Sequence, residues 1–538
     1  MLLDVDVAEQ RAGFARPFDA CIIGAGPAGI TLARRLAAQG LSVALMEAGG
    51  LDASQESQEV YAGESVGVPA PDLDIARLRF LGGSSGHWNG LCRPFDAADF
   101  APRAASPGSG WPIGRADLDP YADETVEILD IVPHNDPPEP EEAFGDFRRA
   151  NYLRSAPTRF GEKFRDALAD QPNLMLGLNA NLVGLAVDAG GTVTGATFRG
   201  YADGDAGFPV QARVYALCCG GIENARLLLA FGVGNGNDQV GRYFNDHLRT
   251  PESLGEVILT RTPPFEVQFY APTEAFIAAN GTLPMLLRIN YRMRAPLPFG
   301  KELARSLQCT LPYADRLAEA VLDDSLKCDV GGGLGDWWRS RDPEEYPWGR
   351  VVVNAESALN PDSRVTLGTE TDRFGMPRAR LDWRLSPIDD EGLRVTAAAF
   401  GGWLADQDIG RLRLYDYWTR PADPYERAAL DESPSSFHHM CTTRMTDDPK
   451  AGVVDRNCRV HGTTNLYVGG SSVFTSPGFV NPTYTIVQLA LRLGDHLGTV
   501  AAAPGATTQP ATQSAPAPEP APEPAPASEP AAPAPTTP

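Results

Sequence analysis

Three glycines near the N-terminus have the spacing that a dinucleotide-binding turn requires. Gly24, Gly26 and Gly29 form a GxGxxG pattern, and Glu47 follows about twenty residues later. The first glycine permits a tight turn, the second lets the backbone approach a pyrophosphate, and the third lets a helix pack closely on a strand. Glu47 can accept hydrogen bonds from a ribose diol, and its charge would repel a 2′-phosphate, which argues against NADP. The pattern therefore predicts a site for FAD or NAD.

The segments around these glycines have the pattern of a βαβ unit. The apolar run 18–23 predicts a buried strand, residues 27–39 predict an amphipathic helix, and residues 41–46 predict a second buried strand. This order places the helix N-terminus, with its free N–H groups and positive dipole end, beside the phosphates of a nucleotide. A strand predicted at 210–220 and a helix at 225–231 repeat the pattern and return the chain to the same sheet.

Composition and charge exclude several classes of partner. The 538-residue chain carries a formal net charge of −23, which argues against nucleic acid and against an anionic membrane surface. No apolar run reaches the roughly 20 residues of a spanning helix, and the N-terminus lacks the basic and apolar regions of a signal peptide. We therefore expect no membrane insertion and a cytoplasmic location; the alternative is periplasmic export together with a signal-bearing partner subunit. The eight cysteines show no metal-ligand spacing, so we expect reduced thiols and no metal.

Further motifs follow the N-terminal turn along the chain. They are GGSSGHWNG at 82–90, ALCCGGIENARLLL at 216–229, VGRYFNDH at 240–247, HHMCTTRM at 438–445, LYVGGSS at 466–472 and GFVNPT at 478–483. With these motifs the chain resembles the glucose–methanol–choline (GMC) oxidoreductases, flavoenzymes that oxidise alcohols. The 82–90 loop is most similar to the branch with pyranose 2-oxidase and membrane-linked sugar dehydrogenases. The chain departs from the family pattern at Cys441, where Gly is usual, and at Gly470, where an acid is common.

The resemblance implies FAD as the cofactor and a mixed α/β fold. We expect a Rossmann-type FAD-binding domain built from discontinuous segments, and an antiparallel-sheet substrate domain with helices. The chain is predicted to begin with an N-terminal arm at 1–16, followed by the FAD-binding domain at 17–250, which has an insertion at about 99–172. The substrate-binding domain follows at 251–430, and residues 431–500 return to the FAD domain and carry the active site. A disordered Pro- and Ala-rich tail is predicted at 501–538.

The resemblance also implies which residues oxidise the alcohol. The alcohol loses its hydroxyl proton and transfers a hydride from carbon to flavin N5, and histidine, with a pKa of about 6.5, suits the proton transfer. His438 matches the catalytic histidine of the family, and Asn481 matches its second active-site position, where it can hold the substrate oxygen. Asn481 also precedes Pro482 at the predicted N-cap of a helix. His439 is the competing base, because neighbouring residues usually point in opposite directions and one of the two should be structural.

A larger set of residues is assigned to the cofactor by the same resemblance. The expected FAD contacts are Gly24, Gly26, Gly29, Glu47, Gly82, Gly83, Ser84, His87, Asn89, Val183, Gly469, Gly470 and Thr483. Three interpretations of His87 stay open: covalent attachment to FAD, as in pyranose 2-oxidase; packing at the ring without a bond; and capping of its own loop. His247, which ends VGRYFNDH, is interpreted as structural.

The implied activity is that of an FAD-dependent oxidoreductase acting on CH–OH donors. The favoured substrate is a sugar, glycoside or polyol, because of the similarity of the 82–90 loop. The alternatives are an aromatic, aliphatic or terpenoid alcohol and, from another class, a non-catalytic flavin-binding protein that serves assembly. Oxidase and dehydrogenase activity are both open, so the external electron acceptor is oxygen, a quinone or a redox protein. Trp337 and Trp338 are either a sugar-stacking platform or a hydrophobic cover.

Overall fold

The structure of the protein is a computed structural model. It describes residues 1–132, 143–249 except 203 and 205, 254–260, 267–293, 347–419 except 416 and 417, and 434–502. Trp337, Trp338 and the predicted tail from residue 503 onward lie outside the described residues. None of the described helices is long and apolar enough to cross a lipid bilayer.

A six-stranded sheet forms the nucleotide-binding part of the fold. Its strands, in spatial order, are Leu2–Asp4, Leu174–Leu178, Val43–Met46, Phe18–Ile23, Ala212–Leu217 and Leu466–Val468. Every pairing in it is parallel. The central strands are almost entirely buried, as expected for a parallel sheet with covered faces. The predicted Rossmann-type sheet built from distant segments is therefore confirmed.

The βαβ unit around the glycine-rich turn follows its sequence pattern closely. The first strand spans Phe18–Ile23, the helix Pro27–Ala38 and the second strand Val43–Met46. Pro27 lies in the first turn of the helix, where backbone N–H groups have no partner within the helix, so the N–H that proline lacks is not needed there. The carboxyl end of the first strand therefore leads directly into the N-terminus of the helix.

The substrate side of the fold is an antiparallel sheet, as predicted. Its strands, in spatial order, are Gly410–Leu414, Gly255–Leu259, Pro347–Ala355, Met285–Met293, Val267–Pro272, Phe147–Arg149 and Ala143–Phe144, with Leu248–Arg249 paired beside Pro347–Ala355. The long helix Pro387–Asp406 packs on this sheet, where the ring of Phe147 lies 5.1 Å from that of Phe400, centroid to centroid. The predicted fold class is confirmed, whereas the exact domain boundaries stay predictions.

Smaller sheets and the remaining helices complete the described fold. The three-stranded sheets are Asn181–Val187 with Val193–Arg199 and Phe208–Val210; Arg364–Thr371 with Pro377–Trp383 and Glu64–Gly67; and Leu91–Cys92 with Leu153–Ser155 and Ile131–Val132. The other α-helices are Gln55–Gln58, Ala122–Ile128, Phe160–Asp170, Gly220–Phe231, Glu274–Asn280 and Thr483–Ala502. The last of these lies against Pro27–Ala38, where Asp495 accepts hydrogen bonds from Arg35 at 2.7 Å and Gln39 at 3.0 Å. That contact brings the chain just before Thr483 next to the nucleotide turn.

Two local expectations were wrong. The sequence of residues 174–187 predicts two strands that pair with each other before the turn at 188–191. In the structure Leu174–Leu178 belongs to the parallel sheet and Asn181–Val187 pairs with Val193–Arg199. Partner choice among strands depends on distant segments, which a local pattern does not contain. The helix predicted from residue 225 begins at Gly220, and the Asn224 side chain accepts a hydrogen bond from the N–H of Cys219 at 2.8 Å.

Candidate active site

A cavity of about 580 Å³ brings together motifs from opposite ends of the chain. Of the predicted site residues, it is lined by Gly24, Gly26, Glu47, Gly83, Ser84, His87, Asn89, His438, Gly470, Asn481 and Thr483. Its volume lies within the range of about 300–1,000 Å³ that is typical of small-molecule and cofactor sites. The glycine-rich turn and both candidate catalytic residues therefore face the same space.

The nucleotide end of the cavity is formed by the glycine-rich turn and Glu47. Gly26 has no atom within 4 Å of the position that a Cβ would occupy, so the cavity begins at its backbone. The carboxylate of Glu47 accepts hydrogen bonds from the N–H of Ala25 at 2.7 Å and from that of Gly49 at 2.9 Å. Burial raises the pKa of Glu47 despite these bonds. Each carboxylate oxygen keeps a second lone pair that can accept from a ribose hydroxyl.

Gly29 and Gly469, two of the predicted cofactor residues, pack the fold instead of lining the cavity. A Cβ at Gly29 would lie 1.9 Å from the carbonyl oxygen of Gly24, so a side chain there would push the helix away from the turn. A Cβ at Gly469 would lie 2.9 Å from Sγ of Cys218. Only glycine fits at these two positions. The close packing that glycine allows brings the backbone of both turns next to the cavity.

The loop at 82–90 lies directly on the glycine-rich turn. The N–H of Gly82 donates to the carbonyl of Ala25 at 2.8 Å, and a Cβ at Gly83 would lie 3.4 Å from Cα of Gly26. Gly82 itself does not line the cavity, whereas His87 and Asn89 do. Acid precipitation of the protein tests covalent attachment of FAD through His87: colour in the pellet that is lost in His87→Ala supports the bond, and colour in the supernatant excludes it.

Val183 is the remaining predicted contact outside the cavity lining. The pairing of its strand with Val193–Arg199 shifts register between Leu182 and Gly184, which makes Val183 the extra residue of a β-bulge. Its neighbours Asn181 and Leu182 line the cavity. Contact between the nucleotide and the main chain of Val183 stays a prediction.

His438 and Asn481 meet at the other end of the cavity. Nε2 of His438 lies 3.3 Å from Nδ2 of Asn481. Burial, more than the nearby charged groups, holds the pKa of His438 well below its usual range. Oδ1 of Asn481 is buried and has no hydrogen-bond partner among the described residues. A buried polar atom without a partner is expensive, so a ligand oxygen or nitrogen at this point is expected to satisfy it.

The predicted N-cap role of Asn481 was wrong. The last helix begins at Thr483, and the carbonyl of Pro482 accepts the first hydrogen bond, from the N–H of Ile486 at 2.9 Å. Asn481 therefore precedes the capping position, and its side chain faces His438 instead of the helix end. The prediction failed by one residue because an Asn-Pro pair is compatible with an N-cap at Asn481 and with an N-cap at Pro482.

Asp246 holds the loop that carries His438. Its carboxylate accepts hydrogen bonds from the N–H of His438 at 2.9 Å, from the N–H of Ser436 at 3.3 Å and from the hydroxyl of Ser435 at 2.6 Å. Between these residues Phe437 has φ of +61°, a left-handed conformation that costs a non-glycine residue about 1 kcal/mol or more. The three hydrogen bonds therefore fix a strained turn.

His439, the competing base, has different surroundings. Its ring lies 5.7 Å from that of Phe244, centroid to centroid, and its carbonyl accepts a hydrogen bond from the hydroxyl of Ser471 at 2.7 Å. Burial lowers the pKa of His439 to about 3. Cys441 follows with φ of +70°, which gives a physical reason for the glycine that the family usually has there. Although His439 also lines the cavity, only the ring of His438 contacts Asn481.

His247 lies behind His438, away from the cavity. Its Nδ1 is 2.9 Å from Nδ1 of His438, and its Nε2 is 2.9 Å from the carbonyl oxygen of Gly478. The side chain is fully buried, and burial lowers the pKa of His247 to about 4. The sequence interpretation of His247 as structural missed this contact, because 191 residues separate the two histidines.

The pKa of His247 predicts how its replacement affects stability at different pH values. Its pKa is about 4 in the folded protein and about 6.5 in an unfolded chain, so the unfolded state binds more protons between these values. Stability contributed by this group is therefore present above pH 6.5 and is lost as the pH falls toward 4. We expect the destabilisation by His247→Asn, measured by urea unfolding, to be smaller at pH 5 than at pH 7.5 by about 2 kcal/mol. A deficit that is equal at both pH values would contradict a neutral, buried His247.

The residues around the cavity fit FAD. The glycine-rich turn leaves backbone exposed at a helix N-terminus, where phosphates bind well, and Glu47 offers acceptors for a ribose. At the far end, the unpartnered amide oxygen of Asn481 and the ring of His438 border space for a second group. A ligand with a nucleotide at one end and a reactive ring at the other therefore matches the distribution of polar atoms.

Comparisons with known proteins agree with the nucleotide-binding fold. Residues 360–490 match the family model described as GMC oxidoreductase, and residues 22–62 match the NAD(P)-binding Rossmann-like domain. The 6′′′-hydroxyparomomycin C oxidase of Streptomyces lividus is 25% identical over 561 residues, covering 91% of this chain and 93% of that protein. The paromamine 6′-oxidase of Streptomyces fradiae is 25% identical over 544 residues, covering 89% of this chain and 90% of that protein.

The chain contains the C-terminal domain of the GMC oxidoreductases and a Rossmann-like nucleotide-binding domain. It is an FAD-dependent oxidoreductase that acts on CH–OH groups, and it therefore requires a small-molecule substrate and an electron acceptor. The solved structure of a fungal aryl-alcohol oxidase is similar in fold, with a TM-score of 0.54, 15% identity and coverage of 90% of this chain and 99% of that chain. That likeness shows the shared fold alone.

The cavity is also lined by residues that were not predicted. Arg249, Ser436 and Phe437 line the catalytic end, and the hairpin between Arg364–Thr371 and Pro377–Trp383 contributes Asp372, Phe374 and Met376. The one indication in the sequence that Arg249, Ser436 and Phe437 belong to the site was that they lie close to the motifs VGRYFNDH and HHMCTTRM along the chain. The hairpin carried no signal, because a turn between two strands does not indicate what it covers.

Proposed function

We propose that His438 is the general base and Asn481 the second group that holds the oxygen of the alcohol. The observation that carries this proposal is the 3.3 Å contact between His438 Nε2 and Asn481 Nδ2 in the cavity that also contains the dinucleotide turn. Held at Gly26 and Glu47, FAD would supply the acceptor for the hydride that leaves the carbon bearing the hydroxyl. The residues of the chain orient that hydroxyl and take its proton.

The two residues divide the work on the substrate oxygen. The unprotonated Nε2 of His438 accepts the hydroxyl proton, for which a separation of about 2.6–3.2 Å is required. The amide N–H of Asn481 donates a hydrogen bond to the oxygen, and this bond strengthens as negative charge develops there. Because an amide does not titrate, Asn481 holds the oxygen without competing for the proton. The low pKa of His438 keeps the base unprotonated at neutral pH.

The substrate proposed here is a polyhydroxylated molecule, a sugar or glycoside in preference to an apolar alcohol. Among the described residues, the cavity that contains His438 is also lined by the polar side chains of His87, Asn89, Arg249 and Ser436. Several polar side chains in one cavity suit a substrate with several hydroxyls. Phe437 adds an aromatic face. The names of the two Streptomyces relatives refer to oxidation of hydroxyparomomycin C and of paromamine, which supports the same class.

A substrate panel under anaerobic conditions tests this proposal. We expect bleaching of the flavin absorbance by sugars, glycosides or polyols, at a rate at least about tenfold above that with matched aromatic and aliphatic alcohols. Faster bleaching by an apolar alcohol would contradict the substrate class and leave the base assignment intact. No bleaching by any alcohol in the panel would favour the non-catalytic assembly protein. Repeating the reaction with oxygen, a quinone and an artificial acceptor then separates oxidase from dehydrogenase activity.

A partner subunit and the cellular location remain predictions from the sequence. The proposed acceptor is oxygen, a quinone or a redox protein, and co-purification of the native protein tests for a bound partner.

A further inference from the structure

His247 has a hydrogen-bonding pattern that a merely packed histidine does not need. Its two ring nitrogens bridge the ring of His438 and the carbonyl of Gly478, each at 2.9 Å. It is fully buried and is not part of the cavity lining, so it does not contact a substrate directly. An effect on catalysis would therefore pass through the residues that it contacts, of which His438 is the one in the cavity lining.

The protonation of this bridge follows from its partners. A carbonyl oxygen can only accept a hydrogen bond, so Nε2 of His247 carries a proton and donates a hydrogen bond to the carbonyl of Gly478. Burial lowers the pKa of His247 to about 4, which makes the ring neutral at physiological pH, and a neutral ring has one N–H. Nδ1 of His247 is therefore an acceptor. Its neighbour at 2.9 Å, Nδ1 of His438, must carry the proton in that contact.

The consequence for His438 is a defined tautomer. With the proton on Nδ1, a neutral His438 has its lone pair on Nε2, the nitrogen that lies 3.3 Å from the amide of Asn481 in the cavity. The Asn481 amide donates toward that lone pair, so both contacts favour the same state. The reverse tautomer would leave two acceptor nitrogens facing each other at 2.9 Å.

We propose that His247 is a positioning residue that fixes the tautomer of His438 and so presents its Nε2 lone pair to the alcohol. The inference rests on the proposed role of His438 as base. When Nε2 takes the hydroxyl proton, the Nδ1–H of the resulting imidazolium still donates to His247, so the bridge accommodates both protonation states without movement. The other groups facing His438 are His439, Arg249 and Asn481, and none of these contacts its Nδ1.

Two replacements of His247 separate hydrogen bonding from packing. His247→Leu removes the hydrogen-bond acceptor and keeps much of the side-chain volume. His247→Asn keeps an acceptor, because the amide oxygen can accept the hydrogen bond from His438 Nδ1 in place of the imidazole nitrogen. We expect His247→Leu to retain FAD and to lower the limiting rate of flavin reduction at least about tenfold, with KM changed by less than about threefold. His247→Asn should recover most of that rate. The control is His461→Leu, because His461 does not line this cavity and its Nε2 bonds the carbonyl of Thr446.

The outcomes distinguish this inference from the proposal on which it rests. If His438→Gln is slow but His247→Leu reduces flavin at the parent rate, the positioning role is wrong and the base assignment stands. If His247→Leu and His247→Asn are equally slow and equally heat-labile, the effect is one of packing and the inference is overturned. If His438→Gln itself is as fast as the parent, the proposed base fails. Stopped-flow reduction and thermal unfolding on the same FAD-bound samples give all these values.

Discussion

Replacing His438 with glutamine is expected to leave FAD bound and to slow its reduction by an alcohol at least about a hundredfold. Glutamine keeps a polar side chain of similar length in the cavity but cannot accept a proton at neutral pH. Without the imidazole, the site loses the basic group that takes up the hydroxyl proton as the hydride leaves. The loss should appear in the limiting rate of anaerobic flavin reduction, because the substrate oxygen is still held by Asn481.

Comparison with the other histidines makes this test specific. His439→Gln changes the neighbouring ring, which packs on Phe244 and does not contact Asn481, and its effect should be much smaller. His461→Gln changes a histidine that lies outside this cavity and should match the parent. If the large loss occurs in His439→Gln while His438→Gln reduces at the parent rate, the base has been assigned to the wrong residue.

The second large effect is expected at Gly26, where alanine should weaken FAD binding at least about a hundredfold, or about 2.7 kcal/mol. Gly26 has φ of −84° and no atom within 4 Å of a Cβ, so the added methyl group fits the protein without strain. The methyl group would project into the cavity at the point where we expect the pyrophosphate to bind. Fluorescence titration of the deflavinated variant with FAD measures the change.

Two other glycines provide the controls for this prediction. Gly402 lies within the helix Pro387–Asp406 and also has open space around a Cβ, so Gly402→Ala should leave FAD affinity unchanged. Gly29→Ala places a methyl group 1.9 Å from the carbonyl of Gly24 and should lower both the thermal stability and FAD affinity. Parent-like FAD affinity in Gly26→Ala would mean that the pyrophosphate does not bind at this turn.

The sequence predicts the nucleotide half of the fold because its signals are local. The strand Phe18–Ile23, the helix Pro27–Ala38 and the position of Glu47 all follow from spacing within one βαβ unit. The strands Leu174–Leu178 and Asn181–Val187 were found as strands but assigned the wrong pairing, because a strand's partner is chosen by packing across the whole chain.

The candidate site shows the same division between local and distant information. His438 and Asn481 were singled out through their motifs, but their separation of 3.3 Å depends on the fold. Asp246 and His247 lie in a motif that the sequence shows, yet the roles proposed for them rest on contacts with residues 189 to 231 positions away. His247 was interpreted as structural for that reason. Only the bridge from Gly478 through His247 to His438 indicates a role in the chemistry.

A crystal structure of the FAD-bound protein with a bound alcohol or carbonyl product tests the central claim most directly. We predict that FAD lies with its nucleotide at Gly26 and Glu47, and that the substrate oxygen lies within about 2.6–3.2 Å of His438 Nε2 and within hydrogen-bonding distance of the Asn481 amide. An oxygen held by other residues, with His438 Nε2 carrying its own proton or turned away from the reacting carbon, would contradict the claim.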